Sequence, residues 1–322
     1  MNEHFRMNAK KQEETEKHIK YGNNPVEFIR DNWIGFNARN FKVELLPLLD
    51  FQIEYINHIH NNQNSIINKS RQMHLTSLTA AYCAWCLIFK DEYRIGVIST
   101  SGDGAQRFIK QVRIILQNYS SEFFHWEDNF IRDNKKTISL SNFSSIKGSG
   151  PAIDACRGES LSMVVFDEAA YLNHIDMIWM AIGMALSCIE GSKAIMISSP
   201  NYKEGLFYKT WLDKENDFAK IKLHWMQHPV YKIDAEERAD RDGNKYWWSP
   251  WYEDYLKRLN YKQEEIDREL ECRFIDKPEI KDQRVNLRLK ANLFKELLDS
   301  GKIDDTTISD YIRNLIKKDL RS

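Results

Sequence analysis

Two adjacent carboxylates, Asp167 and Glu168, follow the apolar run 163–166 (MVVF). Such a run is typical of a parallel strand that is covered on both faces, and ligands of open α/β sheets gather where such strands end. In a nucleotide hydrolase, Asp167 could hold Mg²⁺, directly or through water, while Glu168 polarises the attacking water. Acids that only begin or cap the next segment also follow many strands, so a structural role is the open alternative.

A second candidate site lies upstream, where the run 65–68 (SIIN) leads through residues 69–75 (KSRQMHL) to Thr76 and a helical pattern. A strand, a loop and a helix N-terminus form a cradle for phosphate, because free backbone N–H groups and the helix dipole point at the anion. The usual motif ends in Gly-Lys before Ser or Thr, whereas His74 and Leu75 occupy those two places. An ordinary basic turn is therefore the alternative.

A third candidate is the apolar run 194–197 (AIMI), which ends in Ser198, Ser199, Pro200 and Asn201. Hydroxyl groups at the end of a buried strand can sense a γ-phosphate or its attacking water and pass the change to a neighbouring segment. A plain turn is the alternative reading of the same residues.

These candidates need a scaffold that brings them together, and the rest of the chain predicts one. Helical patterns alternate with short apolar runs, which is the signature of βαβ units and of a parallel sheet flanked by helices. The predicted fold class is therefore α/β. The predicted helices are 76–89, 104–118 and 175–189; the predicted strands are 65–68, 94–100, 161–166, 193–198 and 218–225, with a strand pair within 137–149.

The chain divides by pattern into three parts. Residues 1–60 predict a helical lead with helices at 25–32 and 49–59. Residues 61–277 hold the alternating pattern and form the predicted core. Residues 278–322, rich in Lys and Asp, are expected to form a helical tail or connector.

The last part of the core has a helical period. Residues 250–274 predict one long amphipathic helix, in which Pro250 takes the first position and Ser249 is the cap. The aromatic cluster 246–252 at its start is expected to pack against this helix.

Composition excludes several classes of protein. The 46 Lys and Arg nearly balance the 47 Asp and Glu, so any nucleic-acid contact must come from a local basic patch such as Lys135 and Lys136. An odd number of cysteines without a secretory leader predicts reduced thiols in a cytoplasmic compartment. The longest apolar stretch, 175–189, is interrupted by Asp176 and is shorter than the roughly 20 residues that cross a bilayer, so no membrane span is expected.

The order of these motifs resembles the ATPase domain of the large terminase subunits of tailed bacteriophages, the DNA-packaging motors. The sequence contains SRQ…T, then RGES…MVVFDEAA, then ISSPN, followed by FY and W. Matching flanks are 25–29 (PVEFI), Phe51 with Gln52, and 269–274 (ELECRF). The likeness covers about residues 25–276 and implies a P-loop NTPase-like sheet.

The resemblance implies that ATP and Mg²⁺ are bound. It implies that Gln52 contacts the adenine, that Thr76 and Asp167 hold the metal ion, and that Glu168 is catalytic. The nucleotide-binding loop would comprise Lys69, Ser70, Arg71, Gln72 and Thr76.

The resemblance also implies roles outside that loop. Ser198, Ser199 and Asn201 would form the coupling motif that links hydrolysis to movement. Arg157 would reach across a subunit boundary as an arginine finger, an arrangement that can be worth roughly 10³ to 10⁵ in rate. A structural salt bridge is the alternative for Arg157.

The loop departs from the family pattern. Leu75 stands where most relatives carry the phosphate-binding lysine. Either Lys69 or Arg71, the latter then catalytic, supplies the charge, or turnover is impaired. His74 replaces a glycine and adds bulk where the backbone must approach phosphate.

Large terminases also continue into a nuclease domain, for which the residues after Asp276 leave no room. Nuclease activity is therefore not expected, and a separately encoded nuclease is a possible partner.

The implied function is an ATP-hydrolysing motor that translocates double-stranded viral DNA into a procapsid. The implied partners are DNA, the portal protein and the small terminase subunit, with a homo-oligomeric ring on the capsid in the host cytoplasm and absence from the mature virion. Two alternatives stay open: a catalytically silent or truncated assembly subunit, and a helicase-like nucleic-acid ATPase.

Overall fold

The computed structural model describes residues 2–37, 42–153, 160–239, 243, 245–259 and 262–278. The chain divides into two compact units, Met1–Lys277 and Pro278–Ser322. Apart from Pro278, the second unit lies outside the described residues, and so does the helical tail expected there.

The described residues form α-helices and β-strands along the chain. The helices are α1 (Asn2–Asn23), α2 (Pro25–Asn32), α3 (Asp50–Asn61), α4 (Leu75–Phe89), α5 (Gly102–Asn118), α6 (Trp126–Asn129), α7 (Ile175–Ser187), α8 (Gly205–Leu212), α9 (Pro250–Leu259) and α10 (Gln263–Glu269). The strands are β1 (Ile34–Asn37), β2 (Lys42–Leu45), β3 (Asn64–Lys69), β4 (Arg94–Ile98), β5 (Phe130–Asn134), β6 (Thr137–Leu140), β7 (Ser145–Ser149), β8 (Met163–Asp167), β9 (Lys193–Ser198), β10 (Phe218–Leu223), β11 (Glu236–Ala239) and β12 (Lys245–Trp248).

A single large sheet organises these elements. Among the described residues it has eight strands in the order β10-β3-β9-β8-β4-β7-β6-β5. The pairings from β10 to β7 are parallel, and β6 and β5 add an antiparallel edge. The predicted α/β class with a mainly parallel sheet flanked by helices is confirmed.

The central strand β8 shows why the sheet needs cover on both faces. Met163 and Val165 pack into a core with α3, α4 and α5, while Val164 and Phe166 pack into a second core with α7. All five residues of β8 are buried. Because side chains alternate across a strand, only a continuous apolar run satisfies both faces.

The prediction of a single helix over residues 250–274 is wrong. Two helices, α9 and α10, occupy this stretch, and Lys262 stands before α10 in an extended conformation. The residues after Glu269 run back beside the segment that follows β9, where Ile275 pairs with Tyr202. Pairing with another segment overrides the helical period here. The start is as predicted: Pro250 opens α9, and the Ser249 hydroxyl accepts a hydrogen bond from the Tyr252 amide at 3.1 Å.

Several short elements have no counterpart among the predictions. They are helices α6 and α8, the antiparallel strand pairs β1–β2 and β11–β12, and the edge strand β5. The first strand pair lies within the lead that was expected to be helical. These strands are four or five residues long, and short strands without strict alternation carry a weak signal in sequence.

Two expectations from composition concern cysteines and membranes. Cys83, Cys86, Cys188 and Cys272 are free thiols, and all but Cys188 are buried. Cys156 lies outside the described residues. Within the described part of the chain, no helix has both the length and the apolarity needed to cross a bilayer.

Candidate active site

Four neighbouring strands bring polar side chains to one edge of the sheet. β3 ends at Lys69, β8 at Asp167 and β9 at Ser198, while Ser99 directly follows β4. These strands are adjacent and parallel in the order β3-β9-β8-β4. Their carboxyl ends therefore meet, and the first and second candidate sites, about a hundred residues apart in sequence, become one site.

Asp167 is buried and held by two hydroxyl groups. The Thr76 hydroxyl donates to Oδ1 at 2.8 Å, and the Ser99 hydroxyl donates to Oδ2 at 3.3 Å. Burial and the nearby Glu168 raise the pKa of the Asp167 carboxyl, while Thr76, Lys69 and Ser99 act in the opposite direction. Because burial disfavours the charged form of this carboxyl, a cation beside Asp167 would stabilise the carboxylate.

The pair Thr76 and Asp167 fits a magnesium site that is shared with phosphate. Both are hard oxygen donors, and Mg²⁺ in nucleotide sites takes most of its ligands from water and phosphate. Among the described residues, no cluster of three or more His, Cys, Asp or Glu side chains forms a dedicated cage for a metal. Thr76 and Asp167, predicted as the metal ligands, lie in direct contact.

Glu168 stands at the centre of the site. Its Oε1 lies 3.2 Å from the Lys69 ammonium group, which is almost fully buried, and its Oε2 is 3.5 Å from the Ser198 hydroxyl. Its backbone has φ 56° and ψ 48°, in the left-handed region. This conformation is costly for a non-glycine residue and is found mostly where surrounding structure imposes it. Glu168 remains partly exposed, so a water molecule can reach its carboxylate.

Lys69 and Arg71 point in different directions. Lys69 is directed at Glu168, whereas the Arg71 Nε lies 3.1 Å from Oε2 of Glu269. The Arg71 amide also donates to the Glu269 carbonyl at 2.7 Å. Burial raises the pKa of Glu269, and Arg71 opposes that shift. Lys69 is thus the cation beside the acids.

Ser70 faces away from this edge. Its hydroxyl donates to the Leu270 carbonyl and accepts from the Trp225 amide at 2.9 Å, within the protein interior. The Ser70 side chain therefore ties the loop to the segment after α10. The exposed Gln72, with φ 60°, and His74, with φ 59°, complete the loop before Thr76.

Gln52 is buried, with 1% of its surface exposed. Its Oε1 accepts from the Leu49 amide at 3.0 Å, and its Nε2 donates to the Met73 carbonyl at 3.3 Å. In this conformation the carboxamide joins the start of α3 to the loop. With so little of its surface exposed, the side chain has no group that an adenine can reach in this conformation.

The three coupling candidates surround the turn that follows Glu168. The Ser198 hydroxyl accepts from the Ala170 amide at 3.1 Å, and the Asn201 Nδ2 donates to the Ala170 carbonyl at 3.3 Å. Ser199 lies 3.4 Å from the Tyr171 hydroxyl. A displacement of Glu168 would therefore reach β9 and the segment after it through direct hydrogen bonds.

Some site residues were not singled out from the sequence. Ser99 follows the run 94–98 (RIGVI), and a hydroxyl at the end of an apolar strand was a usable signal. The Arg268 guanidinium donates to Oδ1 of Asn201 at 3.0 Å, a contact between residues distant in sequence. Arg157, the candidate finger, lies outside the described residues.

Comparison with known proteins gives the fold a precedent. No protein-family model matches the chain. The HK97 bacteriophage large terminase matches with a TM-score of 0.54 and 15% identity, over 76% of this chain and 54% of its own. The large terminase of a thermophilic bacteriophage, in complex with ADP, matches with a TM-score of 0.52 and 15% identity, over 71% of this chain and 54% of its own.

This chain therefore spans about half the length of both phage proteins. At these identities the likeness concerns the fold. Over about three quarters of its length, this chain has the fold of the matching part of these two large terminases.

Proposed function

We propose that this chain is an ATP-hydrolysing motor subunit that translocates double-stranded viral DNA into a procapsid. The observation that carries the proposal is the joint arrangement of Thr76 with Asp167 and of Lys69 with Glu168 at adjacent strand ends. The ADP bound to the thermophilic phage's terminase supports a nucleotide as the ligand of this fold.

In the proposed mechanism, the phosphates lie over the loop before α4, where amide groups and the helix dipole favour an anion. Mg²⁺, held by Thr76 and Asp167, would neutralise phosphate charge. Glu168 accepts a proton from the water that attacks the γ-phosphorus, and the bond to the leaving ADP oxygen breaks. Lys69, beside Glu168, would supply to the γ-phosphate the positive charge that the usual loop lysine provides.

Coupling follows from the contacts of Glu168. When its carboxylate is protonated, the attraction to Lys69 falls and the hydrogen bond from Ser198 weakens. Ser198 also holds Ala170, and Asn201 joins Ala170 to Arg268. We propose that this chain of contacts moves the segments that follow β9 and α10. Ser199 would move with them, because its hydroxyl lies beside the Tyr171 hydroxyl.

The proposed partners are the portal protein, the small terminase subunit and a separately encoded nuclease. The chain would act as a homo-oligomeric ring in which Arg157 reaches the neighbouring nucleotide, at the procapsid in the host cytoplasm. It would be absent from the mature virion.

A basic cleft is our candidate surface for DNA. It has a volume of about 360 Å³ and lies between α5 and the turn that joins β5 to β6. Arg113 is paired with Asp133 at 2.6 Å, which leaves Arg107, Lys110 and Lys135 directed to the cleft. Clustered cations of this kind bind phosphate backbones with release of counterions. The lining residues are Asp103, Gln106, Arg107, Lys110, Arg113 and Lys135.

The combined change Lys110→Glu and Lys135→Glu should weaken DNA binding by at least about tenfold at moderate salt. It should also flatten the dependence of log K on log salt by about two units, because each phosphate contact contributes about 0.9. Fluorescence anisotropy with a short duplex measures both. The matched control is Lys209→Glu with Lys214→Glu, two exposed lysines elsewhere on the surface. An equal loss in the control would show only the effect of net charge.

The alternative is a silent assembly subunit, and the specific observation that favours it is His74 and Leu75 in place of the usual Gly-Lys. Magnesium-dependent ATP hydrolysis by the purified chain, with and without double-stranded DNA, separates the two. We expect turnover that DNA stimulates. Absence of both turnover and nucleotide binding would establish the silent subunit instead.

A further inference from the structure

The candidate phosphate loop, residues 70–74 (SRQMH), contains no glycine. It nevertheless has two residues at positive φ, Gln72 at 60° and His74 at 59°. Loops that wrap phosphate commonly use glycine for such positions, because glycine adopts positive φ without steric cost. A loop without glycine needs outside support to keep its amides in this arrangement.

Outside support is present on four successive residues. The donors and acceptors come from α3, from β10, from the last residue of α10 and from Tyr231, which lies between β10 and β11. The bonds are Ser70 amide to Leu223 carbonyl at 2.9 Å, Arg71 amide to Glu269 carbonyl at 2.7 Å, Tyr231 hydroxyl to Gln72 carbonyl at 3.2 Å, and Gln52 Nε2 to Met73 carbonyl at 3.3 Å.

Tyr231 is the residue among these that holds the first strained position, Gln72. Its ring lies between two others, 3.6 Å from the His228 ring and 3.9 Å from the Trp251 ring, with interplanar angles of 12° and 10°. The stack continues from Trp251 to Tyr255 at 5.3 Å. Stacked on both faces and mostly buried, the ring has little freedom, so the hydroxyl is kept aimed at the loop.

We propose that Tyr231 is a positioning residue for the nucleotide phosphates, acting through the loop. Its hydroxyl fixes the Gln72 carbonyl, and this keeps the amides that follow turned towards the anion. The hydrogen bond thus maintains a backbone conformation that glycine maintains in other phosphate-binding loops. This inference rests on the proposed function, because the loop must bind phosphate. The aromatic stack of His228, Tyr231, Trp251 and Tyr255 then becomes part of the nucleotide site without touching the nucleotide.

The test is Tyr231→Phe, which removes the hydroxyl and keeps the ring. Calorimetry with Mg-ADP should show affinity lowered by about fivefold or more, since a loop freed from its support spends less time in the binding arrangement. Hydrogen exchange without nucleotide should be faster at the amides of residues 71–74. The decisive variant adds Gln72→Gly to Tyr231→Phe, and affinity should recover to within about threefold of wild type, because glycine accepts this φ unaided.

Tyr255→Phe is the matched control, because Tyr255 belongs to the same ring stack but stacks on Trp251, one ring beyond Tyr231. It should change neither affinity nor exchange in the loop. Unchanged affinity in Tyr231→Phe would overturn the inference, as would a loss that Gln72→Gly fails to restore or that Tyr255→Phe reproduces. A wild-type chain that binds neither ADP nor ATP would reject the proposed function itself, and with it any nucleotide role for Tyr231.

Discussion

Glu168→Gln should reduce ATP turnover by about 10² to 10⁴, the range that a general base contributes. The amide keeps the shape of the side chain but cannot accept a proton from water. Nucleotide affinity should stay within about threefold, because Thr76 and Asp167 are unchanged and the amide oxygen can still accept a hydrogen bond from Lys69. Steady-state phosphate release measures turnover, and calorimetry measures affinity.

Electrostatics sharpen this expectation. The charge of Glu168 helps to raise the pKa of Asp167. Removing that charge therefore favours the ionised form of Asp167, which is the form that binds a metal ion. A loss of turnover could then not be attributed to loss of Mg²⁺. Glu190→Gln, at an exposed carboxylate after α7, is the control and should behave as wild type. Turnover in Glu168→Gln within tenfold of wild type would exclude Glu168 as the base.

Lys69→Met should lower kcat/KM by at least about 10², while Arg71→Gln should lower it by no more than about tenfold. Methionine matches the length and apolar stem of lysine but lacks the charge beside Glu168. Buried cations act on phosphate at low dielectric, where the interaction is strong. The Arg71 guanidinium is about half exposed and is engaged by Glu269, so solvent screens it.

Kinetics with ATP over a range of concentrations measures both variants. Lys222→Met, at an exposed position of β10, controls for the loss of a lysine. Urea unfolding of each variant separates a loss of stability from a loss of function, because Lys69→Met also leaves Glu168 without its ion pair. If Arg71→Gln lowers kcat/KM more than Lys69→Met does, Arg71 and not Lys69 supplies the positive charge that the usual loop lysine provides.

Much of the architecture followed from local patterns. Alternation of apolar runs with helical periods predicted the parallel sheet, since strands buried on both faces must be continuously apolar. The same patterns put Lys69, Asp167 and Ser198 where strands end. Parallel strands in one sheet have their carboxyl ends on one edge, so their convergence could be expected before any tertiary contact was known.

The direction of polar side chains at that edge was different. Sequence left Lys69 and Arg71 as equal candidates, and their partners decided between them: Glu168 for the first and Glu269 for the second. Gln52 is likewise fixed by Leu49 and Met73. The two ion pairs and the bond from Gln52 to Met73 join groups that are distant along the chain, so local sequence patterns do not indicate them.

At the C-terminal end of the core, too, sequence predicted one part of the structure and tertiary contacts decided another. Residues 250–274 have a helical period, yet they form two helices and an extended end: after Glu269 the chain binds the loop through Leu270 and the segment after β9 through Ile275. Sequence by itself therefore determined the α/β sheet and the place of the site along its edge, because burial leaves a periodic trace. Only the tertiary structure decided which charge faces the acids and what holds the glycine-free loop, because those choices belong to residues brought together by folding.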